Sequence, residues 1–130
     1  MKMPTPKFSI RIIIKTIKNI NMFKTEFDKE NSRSLFFFSG SMNAPATDEA
    51  VIEIEKHFDE LKNQMTEEEL AGNFIVFDLD EVSYICSSFL RICLEYHKKA
   101  GENKFSITNS NPAVKKIFKI TRLDDLLNIS

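Results

Sequence analysis

Two hydroxyls and a thiol stand side by side in residues 84–89, Y-I-C-S-S-F, between an apolar run and a stretch of helical periodicity. The first turn of a helix leaves backbone N–H groups unpaired and carries the positive end of the helix dipole, so an anion is welcome there. A phosphate on Ser87 would be stabilised at that place. Ser87 or Ser88 would equally serve as an ordinary helix cap, because Ser is favoured at that position whatever else it does. Cys86 also has two readings, a thiol of lowered pKa at a helix start or a small buried filler. Cys86 and Cys93 are seven positions apart, roughly 10 Å along a helix axis, too far for a disulfide between them. Their spacing matches no metal or redox motif, which favours a reducing compartment.

Other chemistry is sparse. There is no Gly-rich phosphate loop, no H-E-x-x-H and no G-x-S-x-G, and His57 and His97 are the only imidazoles. Both lie among charged residues on predicted helices, where a solvated or half-buried role is expected rather than catalysis. Asp78 and Asp80 close an apolar strand; without a second acidic cluster they are expected to bond nearby backbone amides. No catalytic residue, cofactor or metal is expected.

These residues need a scaffold to place them. A chain of 130 residues, 42% hydrophobic and 28% charged, forms one globular domain. A formal net charge of −1 provides no global field toward nucleic acid or membrane. No apolar run approaches the roughly 18 to 20 residues of a membrane span, and no small-residue cleavage site follows the isoleucine cluster, so a cytoplasmic location is expected.

Residues 1–21 stand apart, with Lys2, Lys7, Arg11, Lys15 and Lys18 and no acid before Glu26. They are expected to be a basic N-terminal extension, disordered or the product of an upstream start. Ile10, Ile13, Ile14, Ile17 and Ile20 nevertheless follow helical spacing opposite Arg11, Lys15 and Lys18, as in a basic interfacial helix. From residue 22 the pattern predicts a strand over 22–27, a polar turn over 29–33 and a second strand over 35–38. Thr47 is expected to cap a helix with Asp48 and Glu49 in its first turn and Val51, Ile54, Phe58 and Leu61 as its apolar stripe. Thr66 and Glu69 match a capping box. F-I-V-F-D-L at 74–79 is the expected central parallel strand, followed by the Ser87 helix with Leu90, Cys93, Leu94 and His97 at helical spacing and Gly101 as its stop. A strand over 104–108 and a helix opened by Asn111 and Pro112 complete the pattern, with Val114, Ile117, Phe118 and Leu123 facing inward. The fold class is α/β: a mixed sheet, an N-terminal hairpin plus parallel strands, packed with helices.

In this order the segments resemble a STAS domain, the family of sulfate transporters and anti-sigma factor antagonists, over residues 22–130. L-F-F-F-S-G-S-M-N resembles the family's second strand and G-x-L-D turn, with Gly40, Met42 and Asn43 at matching places and Asn43 for the usual Asp. N-F-I-V-F-D-L-D-E-V-S-Y-I-C-S-S-F-L resembles its central strand and serine-bearing helix start. F-S-I-T-N-S-N-P-A-V-K-K-I-F-K-I-T-R-L-D-D-L-L resembles its final strand, loop, helix and closing segment.

For bacterial members the resemblance implies a partner switch, in which the unphosphorylated protein binds an anti-sigma serine kinase and phosphorylation releases it. A serine phosphatase resets the switch, and transcription is what it regulates. The phosphorylated Ser of the family's D-S-S-G motif aligns with Ser87, flanked by Cys86, Ser88 and Phe89. Cys86 replaces the motif's Asp and Phe89 its Gly. Phe89 is then either an exposed contact anchor or buried under the hairpin. Asn43, Asn109 and Ser110 are the expected partner-binding loop residues. The alternative is a constitutive scaffold subunit of a membrane lipid-transport ATPase assembly, meeting the membrane only through a partner or the N-terminal extension; the third reading is a redox sensor through Cys86.

Overall fold

The computed structural model describes residues 23–130; the expectations for residues 1–21 and for Met22 lie outside it. Strand β1 (Phe23–Asp28) turns into β2 (Arg33–Met42), then come helices α1 (Ala44–Lys62) and α2 (Glu67–Ala71), strand β3 (Phe74–Ile85), helix α3 (Ser87–Ala100), strand β4 (Phe105–Thr108) and helix α4 (Pro112–Ile120). The sheet order is β1-β2-β3-β4. β1 and β2 are antiparallel, and β3 is parallel to both its neighbours.

The hairpin closes on Asp28, whose carboxylate accepts from the Asn31 backbone N–H (3.2 Å), from Asn31 Nδ2 (2.9 Å) and from Arg33 Nη2 (2.9 Å). The bonds from Asn31, then that from Arg33, lower its pKa to about 2. Alternation along the strands sends Phe36 and Phe38 of β2, Ile75, Phe77 and Leu79 of β3, and Phe105 and Ile107 of β4 into one core with Ile54, Phe89, Cys93, Tyr96, Val114 and Phe118. Full burial of a Phe or Leu side chain contributes about 1.5–3 kcal/mol, so this face is the main source of stability.

Three expected boundaries are corrected. β2 continues to Met42 and β3 to Ile85. β3 keeps pace with its neighbour by placing one extra residue opposite Phe37/Ser39 and another opposite Gly40/Ser41, two bulges that an alternation pattern conceals. Asn43, not Thr47, caps α1: its side chain accepts from the Ala46 N–H at 3.0 Å, and Pro45 lies in the first turn. Asp48 and Glu49 therefore fall beyond the first turn, and Thr47 is buried. The Asn111–Pro112 start, the Thr66–Glu69 capping box and the Gly101 stop, at φ 93°, are all present.

His57 is half-buried among Phe27, Phe36 and Phe58. Its Nε2 lies 2.8 Å from Ser34 Oγ, which accepts from Asn73 Nδ2 at 2.9 Å. Burial lowers its pKa against the opposing pull of Glu60. A His whose folded pKa lies below its unfolded value binds fewer protons in the native state, so its stabilising effect is present above about 6.5 and lost as pH falls through the folded value. NMR titration of the His57 ring should give a midpoint below that of an exposed histidine, and His57→Phe should flatten the acid-side loss of stability in this window.

Candidate functional site

Because β2 and β3 are parallel, their C-terminal ends meet: Ser41 pairs with Tyr84 and Met42 with Ile85. The next residues are Asn43, capping α1, and Cys86, capping α3. The carboxyl ends of parallel strands are where α/β sheets present functional groups. The Cys86 N–H donates to the Met42 carbonyl at 3.2 Å, tying the two helix starts together.

Cys86 occupies the cap position with no side-chain cap bond, and Ser87 and Ser88 are the first two residues of α3. Expecting either serine to be the cap is thus corrected. Ser87 is exposed, Ser88 half-buried. The first N–H groups of α3 receive no hydroxyl or carboxylate from the cap residue, so Ser87 projects from a helix start whose dipole favours an anion.

The Cys86 thiol is partly buried, and its sulfur lies 3.9 Å from Thr47 Oγ1. Burial raises its pKa, but the Phe89 backbone, the Thr47 hydroxyl, and the Ser88 backbone and side chain near the sulfur favour the thiolate and together outweigh it, holding the thiol below its ordinary value. Burial pushes Cys93, fully enclosed, well up. With a limiting alkylating reagent at neutral pH, Cys86 should be modified at least about tenfold faster than Cys93, because the thiolate is the nucleophile; equal labelling on mass spectrometry would contradict this geometry.

Phe89 is not an exposed anchor. It is fully buried, edge-on to Phe38 at 5.1 Å and tilted against Phe77 at 6.3 Å. The hot-spot reading is corrected: an aromatic at the third helical position points back toward the sheet, here into the core between hairpin and central strand. Ser110 is likewise corrected as a partner contact, being 7% exposed with its N–H bonded to the Ser130 carbonyl.

Asn43 stands exposed beside the α3 start, whereas Asn109 stands elsewhere. Asn109, at φ 59°, donates from Nδ2 to Asp78 Oδ2 at 2.9 Å, and Asp78 pairs with Thr108. Asp78 pairs with Phe37 and Ile85 with Met42, five residues farther along β2, about 17 Å at strand rise. Asp78 Oδ1 accepts from the Asp80 N–H at 2.9 Å, the local role expected of it. Asn109 thus lines a separate cavity of about 240 Å³ with Lys24, Phe37, Asp78 and Asp80. Two further residues lie outside the expected partner-binding set. Tyr84 is 50% exposed at the end of β3, its outward turn set by the bulges. Asn111 joins the α4 start to β3, donating from Nδ2 to the Val82 carbonyl at 2.8 Å and accepting from the Val114 N–H at 2.8 Å; its Asn-Pro signature marks the cap but not the tether. Among the described residues no His, Cys, Asp or Glu cluster could hold a metal, and no helix is long and apolar enough to cross a membrane.

The fold and this arrangement of strand ends define a four-stranded α/β domain, and the family model of the STAS domain matches residues 24–130; the chain belongs to the STAS family. Among solved structures it is similar to the anti-sigma factor antagonist SpoIIAA in its unphosphorylated form, with a TM-score of 0.62 at 15% identity, covering 83% of this chain and 87% of that one. No curated protein matches the sequence. The expected α/β class and single STAS-like domain with a mixed sheet are thereby established.

Proposed function

We propose that this protein is a non-enzymatic bacterial regulator, an anti-sigma factor antagonist-like switch in the cytoplasm. Residues 22–130 are the switch domain and residues 1–21 an appended arm. Unphosphorylated, it binds an anti-sigma serine kinase through the surface formed by Asn43, Tyr84 and Ser87. The kinase transfers the γ-phosphoryl group of Mg-ATP to Ser87 Oγ, releasing ADP and the hydroxyl proton, so this chain needs no nucleotide site of its own. A serine phosphatase reverses the step. The observation that carries this reading is Ser87, exposed as the first residue of α3 directly after a cap position held by a thiol, where no hydroxyl, amide or carboxylate side chain caps the helix. The likeness to SpoIIAA supports it.

A phosphate adds about −1.5 to −2 charges. Placed at the helix start it is tolerated by the domain itself, while a partner surface fitted to a neutral hydroxyl meets repulsion and desolvation.

The test is tagged capture from the native cell of wild type, Ser87→Ala and Ser87→Glu, with mass spectrometry of the partners and of Ser87. An ATP-binding kinase captured by wild type and Ser87→Ala but not by Ser87→Glu, with phosphate on wild-type Ser87, supports the switch. Capture of one membrane ATPase assembly by all three, without phosphate, would instead make the protein a scaffold.

A further inference from the structure

The sheet has a second face. β2, β3 and β4 advance in one direction through helical connections, and right-handed crossovers place α1 and α3 on the same side. On the other side the paired residues run Glu26, Leu35, Val76, Ser106 in one row and Lys24, Phe37, Asp78, Thr108 in the next, with Phe74 opposite Arg33. Leu35, Phe37 and Val76 are partly exposed, and Phe74 is 42% exposed. The result is an apolar strip across the two central strands, bordered by charge. Such a strip marks an interaction surface.

We propose that the occupant of this face is the isoleucine-bearing segment of the same chain, residues 10–20. Ile10, Ile13, Ile14, Ile17 and Ile20 recur at the spacing that gathers them on one helical side, with Arg11, Lys15 and Lys18 elsewhere. Only Asn21 and Met22 separate Ile20 from Phe23, the first residue of edge strand β1. The three steps from Ile20 to Phe23 reach at most about 11 Å. The segment therefore ends beside the row that holds Phe37, where Lys24 already lays its Nζ over the Phe37 ring at 5.2 Å.

Size and charge agree. Eleven residues at helical rise would span about 16 Å, and four strands at about 4.8 Å spacing span about 14 Å. Residues 1–21 hold five of the eighteen basic residues and none of the nineteen acidic ones, so the domain they adjoin is net acidic, with Asp78 and Asp80 at the end of the face that the segment reaches first. A tethered segment also acts at an effective concentration of about millimolar, which favours it over a second copy of the chain at micromolar concentration.

The test uses the full chain with exposed Phe74 replaced by the photo-crosslinker p-benzoylphenylalanine, irradiated as a mixture of unlabelled and ¹⁵N-labelled protein. The expected products join position 74 to residues 8–20, each peptide pair of a single isotope. Mixed-isotope products would assign the face to a second copy, and cross-links confined to residues 23–130 would leave the segment elsewhere; either overturns the proposal. A second readout is tryptic cleavage after Arg11, Lys15 and Lys18. It should be at least about tenfold faster in Phe74→Glu than in wild type, since a docked segment is cleaved only when it opens. Equal rates would overturn the proposal too, as would binding of the wild-type chain through these residues to vesicles of anionic phospholipid with position 74 free.

Discussion

Phe89→Ala should destabilise the domain by about 3–5 kcal/mol, the usual cost of removing a fully buried aromatic ring. Phe89 has no exposed surface and fits edge-on against Phe38 and beside Phe77, so truncation leaves a cavity where the hairpin, the central strand and α3 converge. The loss is comparable with much of a domain's whole stability of about 5–15 kcal/mol. Urea unfolding at constant m-value measures it, and a change below about 1 kcal/mol would show that the ring is not a core element. Phe89→Leu should cost much less, because it retains most of the apolar volume. Since Phe89 sits two residues after Ser87, loss of its ring should also loosen the helix start that presents the hydroxyl.

Ser87→Glu should weaken binding of the proposed kinase partner by at least about a hundredfold, equivalent to about 2.7 kcal/mol, within the range for an uncompensated charge at an interface. The same substitution should leave thermal stability unchanged or slightly raised. Ser87 is exposed at the first position of α3, where a carboxylate interacts favourably with the helix dipole by about 0.3–1 kcal/mol. This opposition separates a binding effect from a folding effect. Calorimetric titration of the captured partner against both forms, alongside their melting curves, measures both. Unaltered affinity would remove Ser87 from the interface.

Phe89 and Ser87 also show what each level of description decides. Local rules made the α/β order legible, because capping and stop signals such as Asn111–Pro112, Thr66–Glu69 and Gly101 act within a few residues and the apolar periods switch cleanly between strand and helix. The same rules located the segment around Ser87 and the resemblance to the STAS family. They misplaced the α1 cap, although Asn43 stands two residues before Pro45, because Thr47 offered a competing signal that only its burial against Cys86 dismisses.

Which serine is exposed, which neighbour is core and which loops are adjacent depended on the tertiary structure. β3 runs seven residues beyond its last pair with β4, and its two bulges keep that end level with the end of β2, so Asn43 comes beside Ser87 while Asn109 remains with Asp78. Ser110, in the same loop, is buried. Periodicity assigns a residue to an element and a face. Strand register, which adds up bulges across pairs of strands far apart in sequence, assigns it to a site.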